Sequence, residues 1–145
     1  MTITVLGAGS WGTALSVLLA RNGHEVTLAG RDQEEIAFIQ SRRENIKYLP
    51  GFALPQSVVP SMMSECKESD AWVVAVPAKA VASITGAICG DSPTVVLASK
   101  GLEPGTGALV SEIIQRDLPQ ARIAAISGPN LAVERRGSGE HQLVV

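Results

Sequence analysis

The glycines at positions 7, 9 and 12 constrain this chain more than any other feature, because of what stands on either side of them. Thr2 to Leu6 is a short β-branched apolar run, and Thr13 to Arg21 carries apolar residues at helical spacing, so G-x-G-x-x-G falls between a strand and a helix. In that context the pattern cradles a dinucleotide. Gly7 permits the tight turn out of the strand, Gly9 lets a pyrophosphate approach the backbone, and Gly12 lets the helix pack close on the sheet. The helix then presents free N–H groups and the positive end of its dipole to the phosphates. Trp11 is bulky for a place inside the motif, and the sequence leaves open whether it packs on the cofactor or closes the core.

Beyond the motif, apolar runs alternate with helical patterns. The first helix ends near Arg21-Asn22-Gly23, where a glycine suits the left-handed position after a helix, and His24 reads as a turn residue. The second strand is Glu25 to Ala29, and it runs into Gly30-Arg31. A NAD-selective site usually carries an acid near this point to accept from the ribose hydroxyls. A guanidinium instead pairs with a 2′-phosphate and stacks on adenine, which favours NADPH, or use of both NADPH and NADH. Asp32 either caps the next helix or turns back toward a ribose.

The spacing then predicts an amphipathic helix over Asp32 to Arg43 with Ile36, Phe38 and Ile39 as its apolar face. Asn45 to Phe52 ends in turn residues and reads as a loop over the cofactor. Val58-Val59 predicts a short strand, Ser61 to Ser69 a short helix, and Ala71 to Val76 a strand buried on both faces and stopped by Pro77. Ala78 to Cys89 reads as helical, Thr94 to Ala98 as a buried strand, Ala108 to Leu118 as an amphipathic helix and Arg122 to Ile126 as the next strand. Gln142 to Val145 closes the chain as another. Alternation of this kind predicts an α/β fold of the Rossmann type: a doubly wound, mainly parallel sheet with helices on both faces, forming one NAD(P)-binding domain over residues 1–145.

Composition supports that class and narrows the partners. At 145 residues with 46% hydrophobic but only 3% aromatic residues, small-residue helix-on-sheet packing fits better than an all-β sandwich. Twelve basic against fourteen acidic residues leave a charge of −2, so no general field draws the chain to nucleic acid or an anionic membrane. The start lacks a targeting pattern, and no apolar run approaches the roughly 18 residues of a transmembrane helix, so a soluble, cytoplasmic protein is expected. Cys66 and Cys89 follow no ligand spacing, and no metal site is expected.

In such a sheet ligands bind outside the carboxyl ends of the strands. Gly7 to Gly12, Gly30-Arg31, Pro77 to Lys79, Ser99-Lys100-Gly101 and Ser127-Gly128-Pro129-Asn130 are therefore expected on one rim. Lys100 is either a cation for a substrate oxygen or phosphate, or a solvated lysine at a strand end. Gly128 and Asn130 either face a ligand or make a turn before a helix. Glu134 faces either the nicotinamide or solvent. No histidine or carboxylate pair is placed to move the proton that carbonyl reduction requires, so the chemistry needs residues from elsewhere.

The set Gly7-Ala8-Gly9-Ser10-Trp11-Gly12, Gly30-Arg31-Asp32, Asn45 with Tyr48-Leu49-Pro50, Val76-Pro77, Ser99-Lys100-Gly101-Leu102-Glu103 and Ser127-Gly128-Pro129-Asn130-Leu131-Ala132 resembles the N-terminal domain of bacterial NAD(P)-dependent glycerol-3-phosphate dehydrogenases. The resemblance runs over about residues 2 to 134. It implies hydride transfer between NAD(P)H and dihydroxyacetone phosphate, giving sn-glycerol 3-phosphate for phospholipid synthesis. It also implies cofactor contacts from Ser10, Trp11, Arg31, Tyr48, Lys100 and Ala132, and substrate contacts from Lys100, Gly128 and Asn130. Members of the family are about twice as long, and a helical C-terminal domain brings the lysine that exchanges the proton and the residues that bind the substrate's phosphate. Their full-length form is expected to be a homodimer. This chain lacks that domain, so alone it should bind dinucleotide without turning over. Val133 stands where a basic residue is common, and Arg135-Arg136 replaces a more apolar continuation. The alternatives are another two-domain reductase, of ketopantoate or 6-phosphogluconate type, and a non-enzymatic NAD(P)-sensing module.

Overall fold

A computed structural model describes residues 1–126 and, beyond them, the backbone of the short strands Glu134–Arg135 and His141–Gln142. The main body is a six-stranded parallel sheet. Its strands are β1 (Thr2–Leu6), β2 (Glu25–Gly30), β3 (Val58–Met62), β4 (Ala71–Val74), β5 (Thr94–Leu97) and β6 (Arg122–Ala125), in the spatial order β3-β2-β1-β4-β5-β6. The α-helices are α1 (Ser10–Arg21), α2 (Gln33–Arg42) and α3 (Val110–Asp117). The two C-terminal strands, β7 (Glu134–Arg135) and β8 (His141–Gln142), form a separate antiparallel pair. The expected strand at 142–145 therefore falls partly on β8, and residues 143–145 lie outside the described part.

The sheet is covered on both faces, and the alternation of side chains along its central strands shows how. Ile3 and Val5 of β1, with Ala71 and Val73 of β4, join one core together with Leu15 and Val17 of α1 and Ile39 of α2. Leu6, Trp72 and Val74 join the other, with Val81, Ile84 and Ile88 and with Ile113 and Ile114 of α3. Strand β1 pairs with β2 and β4, and so occupies the place where the winding direction reverses. Among the described residues no helix is long and apolar enough to cross a membrane.

Several elements differ from expectation. Phe38 is 45% exposed and lies under the Arg42 guanidinium, so α2 buries only Ile36 and Ile39. Strand β3 continues to Met62 instead of stopping at Val59, because an edge strand tolerates Pro60. The helix expected from Ser61 shrinks to a 3₁₀ turn at Met63–Glu65. Segment 78–89 folds as two 3₁₀ turns, Ala78–Ser83 and Thr85–Ala87, with i→i+3 bonds such as Ala80 N–H to Pro77 O at 2.8 Å. Val81, Ile84, Thr85 and Ile88 are β-branched and disfavour a long α-helix, while their spacing buries them just as a helix would. Arg21 ends α1 and Gly23 takes φ +86°, as expected.

Candidate functional site

A cleft of about 610 Å³ opens at the carboxyl ends of β1 and β4, where the strand order reverses. The glycine loop forms its floor, Gly30 and Arg31 one side, Ala75, Val76 and Pro77 the other, and Tyr48 and Met63 complete the wall.

The three motif glycines are held by three different constraints. Gly7 has φ +120°, and a Cβ there would meet Ala75 O at 2.5 Å; its N–H donates to Ala29 O at 2.8 Å. A Cβ on Gly12 would come within 1.9 Å of Gly7 O, so α1 packs against the loop backbone at a distance only glycine allows. Gly9 is different. Its φ of −78° and ψ of −175° suit any residue, and among the described residues a Cβ would meet no atom within 4 Å. Nothing among the described residues requires glycine at this position. A side chain there would instead fill the open space in front of the helix N-terminus. Keeping that space open is what a pyrophosphate cradle demands of its middle glycine, so the site fits the dinucleotide that the motif implies.

Buried polar bonds hold the loop from beneath. Asn45 is 1% exposed, and its Nδ2 donates to Ala8 O and to Thr13 Oγ1, both at 2.8 Å. The Thr13 hydroxyl in turn donates to Gly9 O at 2.7 Å. The segment carrying Asn45 is itself anchored: Leu49 and Phe52 pack on Ala14 of α1, the Leu49 N–H donates to Asn45 O at 2.8 Å, and Gly51 N–H donates to Glu44 Oε1 at 2.7 Å. Residues 44–53 thus form a compact loop whose exposed Tyr48 lines the cleft.

Charges at the Arg31 end of the cleft follow from α2. Asp32 is its N-cap, Oδ1 accepting from Glu35 N at 2.9 Å, so the capping alternative holds. Glu35 lines the cleft and pairs with Lys47, whose ammonium lies 4.8 Å from the Tyr48 ring centroid. The Glu35 carboxylate holds the Lys47 ammonium above its ordinary range. Pairing with Lys47 offsets Glu35 beside an anionic ligand, whereas exposed Arg31 makes no ion pair among the described residues.

The expected site residues divide by position. Gly7, Gly9, Arg31 and Tyr48 meet in the cleft. Ser10 is exposed at the start of α1, and Gly12 is buried behind the loop. Trp11 is half-buried, packs against the core of the α1 face and is not among the residues that line the cleft. The segment bearing Lys100 leaves the end of β5, and its neighbours Ser99 and Gly101 line a second cleft of about 580 Å³ beside α3 and β6. Both clefts take lining from segments that follow carboxyl ends of parallel strands, and residues 127–130 of the expected rim lie outside the described part. Gly128, Asn130 and Ala132 lie outside the described residues. Sequence reading gave no role to Thr13 or Met63 and named Asn45 only as part of a motif; a polar amide just ahead of the apolar Tyr48-Leu49 pair was the available signal.

Comparison with known proteins agrees with this geometry. The family described as NAD-dependent glycerol-3-phosphate dehydrogenase N-terminus matches residues 2–137. The glycerol-3-phosphate dehydrogenase [NAD(P)+] of Geobacillus kaustophilus is 44% identical over 140 residues, covering 91% of this chain and 40% of that protein; the one of Bacillus mycoides is 40% identical. The crystal structure of glycerol-3-phosphate dehydrogenase from Coxiella burnetii superposes with a TM-score of 0.79 at 29% identity, over 90% of this chain and 41% of that one. A 2-dehydropantoate 2-reductase from Methylococcus capsulatus, at 18% identity and TM-score 0.65, shares the fold alone. The chain spans about 40% of the length of the curated relatives it matches. With its strand order, glycine loop and cleft in place, the chain belongs to the family of NAD-dependent glycerol-3-phosphate dehydrogenase N-terminal domains.

Proposed function

We propose that this chain is the cofactor-binding half of an NAD(P)-dependent glycerol-3-phosphate dehydrogenase and that the cleft at the β1–β4 switch holds NADPH or NADH. The observation that carries the reading is Gly9, a glycine that neither its backbone angles nor its protein neighbours require. The Gly9 and Ser10 N–H groups and the α1 dipole bind the pyrophosphate, Arg31 binds the adenosine end, and Tyr48 flanks it. Arg31 stands where an acid would select NADH, so the site prefers NADPH. When bound, the cofactor supplies a hydride to the carbonyl carbon of dihydroxyacetone phosphate.

Lys100, with Gly128 and Asn130, then orients the substrate, as in the family the chain resembles, and its ammonium stabilises charge on the carbonyl oxygen. As the family resemblance implies, the proton for that oxygen comes from a lysine outside this chain; in the described cleft Glu35 is paired with Lys47, Asp32 caps α2, and Tyr48 flanks the cofactor. The test is a pair of measurements on the 145-residue protein: titration with NADPH followed by Trp11 fluorescence over a Trp72 background, and steady-state reduction of dihydroxyacetone phosphate. Saturable binding without turnover is expected. Failure to bind either nucleotide, or robust turnover by this chain alone, contradicts the reading.

A further inference from the structure

We propose that Asn45 is the positioning residue of the phosphate loop: from outside the motif, its side-chain amide sets the direction in which the Gly9 and Ser10 N–H groups point. The inference rests on the dinucleotide reading of the cleft and explains how the loop is held ready for it.

The geometry leaves little freedom. A side-chain amide nitrogen has two hydrogens and no acceptor, and both hydrogens of Asn45 Nδ2 are used, one on Ala8 O and one on Thr13 Oγ1. Turning the amide over would set Oδ1 against Ala8 O, acceptor against acceptor, so the orientation follows from chemistry. Thr13 Oγ1, accepting from Asn45, has its own hydrogen left for Gly9 O at 2.7 Å; Gly9 O also accepts from Thr13 N at 3.0 Å. Asn45 therefore controls two successive carbonyls, Ala8 directly and Gly9 through Thr13.

In a planar trans peptide the C=O and the N–H point in opposite directions. With Ala8 O drawn in toward Asn45, the Gly9 N–H points outward; with Gly9 O drawn in toward Thr13, the Ser10 N–H does too. Among the described residues neither N–H donates to a protein group, and Gly9 opens onto free space. Two adjacent outward N–H groups at a helix start are an anion nest, and the side-chain amide beneath decides their aim before any ligand arrives. Asn45 has no other donor to offer, and Leu49 and Phe52 on Ala14 fix the segment it sits on.

Asn45→Ala and Thr13→Val test this against Thr13→Ser, which keeps the hydroxyl. NADPH affinity is expected to fall about tenfold in Asn45→Ala and in Thr13→Val, and to stay within about threefold of the parent in Thr13→Ser. In amide NMR, NADPH should move the Gly9 and Ser10 signals strongly in the parent protein and weakly in Asn45→Ala, with the Arg31 signal moving equally in both. Should Asn45→Ala fail to fold, the Thr13→Val and Thr13→Ser pair carries the same comparison. Unchanged affinity in Asn45→Ala or Thr13→Val, or equal loss of shift at Gly9, Ser10 and Arg31, overturns the positioning role and leaves the cofactor reading standing. Absence of NADPH binding by the parent protein overturns that reading itself.

Discussion

Strand β1 buries four of its five residues and its neighbour β4 all four, whereas none of the four residues of the edge strand β6 is fully buried, and the two edges of the sheet are finished differently. On the β3 side the edge is closed by the chain's own side chains. Gln40 Nε2 donates to Pro60 O at 2.8 Å, the Arg43 guanidinium donates to Pro55 O at 2.7 Å and Val58 O at 2.9 Å, and Pro60 interrupts the edge. These are the devices by which sheets protect an edge. On the β6 side Ala124 and Ala125 are exposed, and Leu102 and Leu109 nearby are 54% and 50% exposed. Among the described residues the β3 edge is thus closed by side chains, while the β6 side leaves apolar surface exposed.

The largest effect expected from this contrast is in the first half of the chain. Gly12→Ala drives a methyl into Gly7 O, and since neither atom is the end of a flexible side chain, a loss of about 3 kcal/mol or more is expected in denaturant unfolding. A loss below about 1 kcal/mol would show that α1 and the loop are not packed as described. Next is a matched pair of truncations. Leu49→Ala, at 1% exposure, should cost about 2–4 kcal/mol, whereas Ile123→Ala on half-buried β6 should cost about 1 kcal/mol or less. Equal costs would erase the difference between the halves.

Smaller effects sharpen it. Arg31→Ala should weaken NADPH about tenfold and leave NADH within about twofold, read from the two dissociation constants; equal loss for both would remove Arg31 from cofactor choice. The smallest effect lies in the second half, where Asp117 accepts from Arg116 Nε at 2.7 Å and from Thr85 Oγ1 at 3.0 Å. The Arg116 guanidinium first, and Thr85 after it, hold the Asp117 carboxyl below its ordinary value. Its folded pKa being depressed, its contribution is present above the unfolded value near ~3.9 and is lost as pH falls through the folded one. Asp117→Asn should therefore flatten the acid end of the stability profile slightly and leave neutral pH almost unchanged; an identical acid slope would assign that carboxyl no part.

The sequence made legible what rests on backbone constraint. Glycines spaced 7, 9 and 12 between an apolar strand and an apolar helix admit few structures, so the loop and the parallel sheet were readable from them, whereas Arg31 was placed by the strand it follows and Tyr48 by the resemblance. What rests on hydrogen-bond register was not. Val81, Ile84 and Ile88 bury the same face whether bonds run to the third or the fourth residue, so periodicity could not separate 3₁₀ turns from an α-helix at 78–89. The strand predicted at Val58-Val59 runs on through Pro60 to Met62, which only its place at the sheet edge allows. Asn45 stands 33 positions beyond Gly12, and only the fold brings its amide under the loop.

Gly9 carries the central claim, and Gly9→Ala tests it most directly, by NADPH titration and unfolding of the same protein. With open space around the added methyl and ordinary backbone angles, stability should stay within about 0.5 kcal/mol of the parent while NADPH binding weakens more than about tenfold. A stable Gly9→Ala protein that binds NADPH as tightly as the parent would contradict the account.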